Sequence, residues 1–155
     1  FPSLAHGNER IEIGQIRQLS ALVNLSVGNP FRIEIETWAL DKALMPQLKQ
    51  TADLLIQHGI NIYANVPLIS GLNSDPEIMV NLAGQLRKSG VEFHHLYVSG
   101  LQLQADLKTQ FGIQPPDEQT LIDLAGRMRT DCSGREIPLY IVQTPEGEKD
   151  FKLFS

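Results

Sequence analysis

The chain has 155 residues, 42% of them hydrophobic, which is long enough for one domain with its own core. Its formal net charge is -5, with acidic and basic residues interspersed, so it lacks the basic stripe of a nucleic-acid surface. No apolar run approaches the ~20 residues of a membrane span, nothing reads as a signal peptide, and the single cysteine, Cys132, excludes an internal disulfide framework and fits a reducing cytoplasm.

Taken in chain order, the first predicted element is a helix from about Ile13 to Val23. Phe31, Ile33 and Ile35 then alternate with Arg32, Glu34 and Glu36, the period of two that makes a strand. Leu48, Ala52, Leu55 and Ile56 share one face of a helix that begins between Asp41 and Pro46 and stops at Gly59, after His58. A strand is predicted around Ile62 to Leu68. The next helix carries its own punctuation: Asp75 as cap, Pro76 at the first helical position, Glu77 at the positive end, Arg87 and Lys88 at the negative end, and Gly90 beyond. Ile78, Met79, Leu82, Ala83 and Leu86 form its apolar stripe. A strand from Val91 to Val98 follows. The Gln-rich stretch from Ser99 to Pro116 is weakly patterned and reads as a long functional loop with a short helix. A helix from Asp117 to about Arg129 is expected to bury Leu121, Ile122, Leu124, Ala125 and Met128. A last strand, Ile137 to Gln143, leads into Thr144-Pro145-Glu146-Gly147.

Strands alternating with helices of this length imply βαβ units, right-handed crossovers and a parallel sheet. The expected class is α/β, a single domain over residues 1–155. Four strands form an arc, a partial (β/α) barrel and not a closed eight-stranded one.

No self-contained catalytic motif is present: no phosphate-cradling Gly-Lys-Ser loop, no dinucleotide fingerprint and no Gly-x-Ser-x-Gly elbow. His94 and His95 are neighbours in a strand and are expected to point to opposite faces. With His6 and His58 they are assigned structural or surface roles, and no metal site is expected. Glu34 and Glu36 share a strand face with Arg32. In an open sheet that face meets solvent. In a barrel it lines the interior, where carboxylates need donors and mark a ligand site.

Val66-Pro67-Leu68-Ile69-Ser70-Gly71-Leu72-Asn73, leading to the Asp75-capped helix, resembles a strand-and-loop segment of the lysine 2,3-aminomutase family of radical S-adenosylmethionine (SAM) enzymes. His95-Leu96-Tyr97 is similar to that family's next strand. Ile137 to Val142 with Pro145-Glu146-Gly147-Glu148-Lys149 is similar to its strand and glycine-rich turn. The similarity runs in order over roughly residues 30 to 150.

The resemblance implies an incomplete (β/α) barrel, a [4Fe-4S] cluster that cleaves SAM to a 5′-deoxyadenosyl radical, and an amino acid held on pyridoxal 5′-phosphate (PLP) while its amino group migrates. It implies that Asn65 and Thr37, near strand ends, contact SAM; Glu36, on the polar face of its strand, is a further cofactor-binding candidate. Lys149 occupies the region of the PLP-anchoring lysine, with Glu146 and Glu148 replacing glycines and a spacing from Pro145 one residue shorter. Asn73 is expected to brace the loop before the Asp75-capped helix.

The cluster motif C-x-x-x-C-x-x-C is absent, and one thiolate cannot ligate a [4Fe-4S] cluster. The chain is therefore expected to be the C-terminal portion of a longer enzyme, inactive and without bound cofactor by itself. The family's lysine-recognising aspartates are also absent: the matching stretches read Tyr97-Val98-Ser99-Gly100 and Val142-Gln143-Thr144. The expected substrate is an amino-acid-like small molecule other than lysine. A noncatalytic α/β ligand-binding or interaction domain is the alternative. Open sheet edges point to a homo-oligomer.

Overall fold

The computed structural model describes residues 32–37, 43, 45–98 and 100–150, so the helix expected near residues 13–23 lies outside it. The period-two patches form a five-stranded sheet. Strands β1 (Arg32–Glu36), β2 (Asn61–Pro67), β3 (Glu92–Val98) and β4 (Leu139–Thr144) run parallel and side by side in chain order. The short β5 (Gly147–Lys149) returns antiparallel to β4. Helices α1 (Met45–Gln57), α2 (Pro76–Lys88), α3 (Leu101–Phe111) and α4 (Glu118–Asp131) fill the connections. The class is α/β with a mostly parallel sheet.

One core joins one face of the sheet to three of the helices. Ile33, Ile35, Ile62, Ala64, Val66, Phe93, Leu96, Val98 and Tyr140 meet Leu48, Ala52 and Leu55 of α1, Met79, Leu82, Ala83 and Leu86 of α2, and Leu121, Leu124, Ala125 and Met128 of α4. The helical stripes are narrower than the sequence suggests. Ile56 and Ile78 lie at the stripe margins and stay exposed, and Ile122 is only half-buried.

Helices α1 and α2 end in the same way, in a Schellman turn. Gly59 N–H bonds Ile56 O at 2.9 Å and Ile60 N–H bonds Leu55 O at 2.9 Å; Gly90 and Val91 repeat this on Arg87 O and Leu86 O at 3.1 and 3.0 Å. Both glycines take a positive φ of 75° and 79°, which side chains disfavour. The start of α2 is as its punctuation predicts: Asp75 accepts from Glu77 N–H at 2.8 Å, with Pro76 opening the helix. Asn73 braces the preceding loop: it is 1% exposed, donates to Pro67 O and accepts from Ile69 N–H, both at 2.8 Å.

Three local features depart from the expectation. The Gln-rich stretch holds a full 11-residue helix, α3, that buries no residue of its own. Leu103, Leu107 and Phe111 share one helical stripe, but none of them is buried in the core. The turn after β4 is a hairpin with Pro145 and Glu146 at its tip, closed by Thr144 Oγ1 donating to Gly147 O at 2.9 Å.

The third departure is in β3. Ala64 pairs with Phe93, but Asn65 pairs with His95, so His94 is an extra residue and makes a β-bulge. No helix among the described residues is long and apolar enough to cross a membrane.

Candidate functional site

Strand alternation places Glu34 and Glu36 of β1, Tyr63 and Asn65 of β2, and Tyr97 of β3 on the face opposite the core. The bulge adds both histidines to that face. Their ring centroids lie 3.8 Å apart, and both rings are half-buried. The expectation that adjacent histidines point apart is thus corrected: the extra residue breaks the alternation.

These side chains form a hydrogen-bonded row. Asn65 Nδ2 donates to Glu34 Oε2 at 3.2 Å, and Asn65 Oδ1 lies 2.9 Å from His95 Nδ1. His94 Nδ1 lies 4.0 Å from Glu34 Oε1, and its ring also meets Tyr63, centroid to centroid, at 5.2 Å. Tyr97 leans across β2 beside Pro67, its register partner, and donates to Glu36 Oε1 at 2.5 Å. Burial raises the Tyr97 phenol well above the ordinary tyrosine range, and the hydrogen bond to Glu36 and its charge add to the effect. Tyr97 is a fixed donor at this site.

The row opens into a concavity of about 320 Å³, lined by Glu36, Asn65, His95, Tyr97, Gln143 and Glu148 among others. No lysine or arginine lines it, so the site is negative and rich in acceptors. A second hollow of about 240 Å³ shares Glu36 and Tyr97 and is otherwise walled by Thr37, Pro67, Ile69, Leu103 and Leu107. Helix α3 thus supplies an apolar wall beside the polar one. Both spaces lie toward the carboxyl ends of the parallel strands, the usual ligand position in such sheets.

Glu36 and Asn65 are register partners, and both line the concavity. Thr37 is 1% exposed, and its backbone N–H bonds Asn65 O at 3.2 Å, so it lies in the wall of the second hollow. Lys149 stands apart. It follows Glu148 on β5, so alternation turns it from the concavity, and its ammonium lies 3.6 Å from Glu146. The Glu146 carboxyl is held below its ordinary range by hydrogen bonding to Thr144 and to its own backbone, then by Lys149. Asn73 faces its own loop.

His95, Tyr97, Gln143 and Glu148 are site residues that strand alternation alone did not reveal. One signal was present for the histidines: Phe93 and Leu96 are three apart where a regular strand would place them two or four apart, which marks an inserted residue. Burial raises the Cys132 thiol, helped by Glu136 and Asp131, which disfavours its thiolate. Among the described residues, no group of three or more His, Cys, Asp or Glu side chains is placed to hold a metal ion.

No protein-family model matches this chain, and no curated protein matches it either.

Proposed function

We propose that the sheet is an arc of a (β/α) barrel similar to that of the lysine 2,3-aminomutase family, with its polar face as the inner wall. In this reading the concavity takes SAM and an amino-acid-like substrate, for amino-group migration or related radical chemistry in a polypeptide that also carries a cluster-binding segment.

The observation that carries the reading is the hydrogen-bonded polar row opposite the core, on consecutive parallel strands. A doubly wound sheet reverses its strand order and buries both faces under helices. Here the order is β1-β2-β3-β4 without reversal, and the apolar core occupies one face. That order and that one-sided core support a barrel arc, whose ligands would sit at the carboxyl ends of the strands.

The residues present fit the cationic and hydroxyl groups of SAM. It carries a sulfonium, an ammonium and ribose hydroxyls, to which Glu36, Glu148 and Gln143 offer acceptors, and a carboxylate that finds no lysine or arginine in the lining and would be met by an amide donor such as Gln143. Its flat adenine suits the hollow walled by Pro67, Ile69, Leu103 and Leu107. When bound and reduced by a cluster, SAM would supply the hydrogen-abstracting radical.

The residues do not fit PLP. A cofactor phosphate calls for cations, no cation lines the concavity, and Lys149 pairs with Glu146 outside it. The one cysteine cannot hold a cluster.

Calorimetric titration with SAM tests the reading. Wild-type protein is expected to bind, and Glu36→Gln to weaken binding by about tenfold, the scale of one charged hydrogen bond. A C-x-x-x-C-x-x-C motif in the coding sequence upstream of Phe1, with 5′-deoxyadenosine released by the reduced full-length protein, is the expected companion result. No SAM binding together with no such motif would overturn the proposal in favour of a noncatalytic binding domain.

A further inference from the structure

We infer that His95 is the side chain that meets the ligand in the concavity, through Nε2 as a hydrogen-bond acceptor, and that Asn65 and Glu34 are positioning residues that hold its tautomer. The inference rests on reading the concavity as a ligand site, and it gives Asn65 a different role from the cofactor contact that the family resemblance implies.

The argument begins with the bulge. In a regular strand, residues at even spacing from Phe93 and Leu96 cannot both face the core, since the two are three apart. The strand meets both demands by inserting His94, which leaves one ladder position unpaired. The result is that His95 stands opposite Asn65 and on its face.

Donor and acceptor chemistry then sets the proton positions. An ionised carboxylate only accepts, so the end of Asn65 that lies 3.2 Å from Glu34 Oε2 is its NH₂ group. The other end is the carbonyl oxygen, and it lies 2.9 Å from His95 Nδ1. A carbonyl cannot donate, so Nδ1 carries the ring hydrogen. This tautomer is assigned from the network. In the neutral ring, Nε2 is left with its lone pair, and it takes no hydrogen-bond partner among the described residues. A carboxylate that orients an amide, which orients an imidazole, follows the logic by which ring nitrogens are aimed in known sites.

The surroundings specify the ligand class. His95 lines the concavity with Glu36, Gln143 and Glu148, and the Tyr97 hydroxyl is already committed to Glu36. With the ring neutral, Nε2 joins a set of acceptors in a lining without lysine or arginine. The matching ligand presents N–H or O–H donors, as an ammonium or a ribose hydroxyl pair does. Asn65, by contrast, uses both ends of its amide within the wall.

Two measurements on the whole chain test this, with SAM as the probe. Long-range proton–nitrogen NMR of the imidazoles is expected to show His95 with Nδ1 protonated and Nε2 bare, and Asn65→Leu is expected to shift the ring toward the other tautomer. In titrations, His95→Phe, which keeps a ring against His94, is expected to weaken SAM by about tenfold, while His95→Gln, whose amide oxygen can take the place of Nε2, recovers most of the loss. Thermal unfolding checks that each variant is folded. Unchanged SAM affinity in folded His95→Phe overturns the inference and leaves the proposed function standing. Absence of SAM binding to wild-type protein, together with no cluster motif upstream, overturns the proposed function, whereas a His95 found protonated on Nε2 overturns the inference whatever binds.

Discussion

On β2, Ile62, Ala64 and Val66 face the helices and are at most 1% exposed, while Tyr63 and Asn65, between them, are half-buried on the other side. The first set is held by contact alone. Apolar burial is non-directional, so any side chain of the right volume contributes and the energy is large. The second set is held by pairs that must match donor to acceptor: Asn65 with Glu34 and His95, Tyr97 with Glu36. Such pairs are weak contributors to net stability when water can reach them, but they fix orientation. One strand thus spends alternate residues on stability and on positioning.

The comparison is most easily broken on the apolar side. Leu82 is 3% exposed at the centre of α2, and Leu82→Ala is expected to cost about 2–5 kcal/mol in a denaturant titration. A change within ~0.5 kcal/mol would mean that this helix face is not packed.

Asn73 tests a buried polar group whose bonds are all internal. Asn73→Ala leaves Ile69 N–H and Pro67 C=O without their partner, with an expected loss of about 1–3 kcal/mol. Stability equal to wild type would show that water replaces the side chain.

Tyr140 sharpens the comparison through pH. It is 3% exposed on the core side, and its phenol is pushed up to about 12 by burial first, with Cys132 and Asp150 adding and Arg129 opposing. An unfolded tyrosine ionises near pH 10, so above that the unfolded state holds fewer protons than the folded one. Stability is therefore complete below about pH 10 and falls as pH rises toward 12. Tyr140→Phe is expected to flatten this alkaline decline, measured by denaturation at a series of pH values. An unchanged decline would assign it elsewhere, with Tyr97, raised in the same direction, the next residue to replace.

The smallest effect is expected on the polar face. Glu36 is exposed, and a glutamine there still accepts from Tyr97, so Glu36→Gln should change stability by no more than ~0.5 kcal/mol. A loss of several kcal/mol in the same denaturant titration would make the polar row a structural element and remove the contrast between the two faces.

Much of the scaffold was legible because its determinants are local. Asp75, Pro76 and Gly90 bound α2, Gly59 ends α1, and the alternation from Ile33 to Glu36 separates the faces of β1 without reference to any other residue. Glu36 was singled out by the alternation along β1, whereas Asn65 and Thr37 were singled out only through the family resemblance. Helix α3 was expected only as a short helix within a long loop, because none of its residues is buried in the core. β5 was missed because three residues carry too little pattern. Glu148 is a site residue only because the hairpin brings it back beside Gln143.

The sequence by itself determined the elements with strong caps and periodicity, and with them the α/β class, since hydrogen bonding within a helix and alternation along a strand depend on neighbours in the chain. Only the tertiary structure decided that His94 and His95 share a face. That depends on how β3 registers against β2, where keeping both Phe93 and Leu96 in the core requires an extra residue. The reason is physical: burial of two apolar side chains outweighs one lost ladder position, so the core chose the register, and the register placed the imidazoles in the concavity.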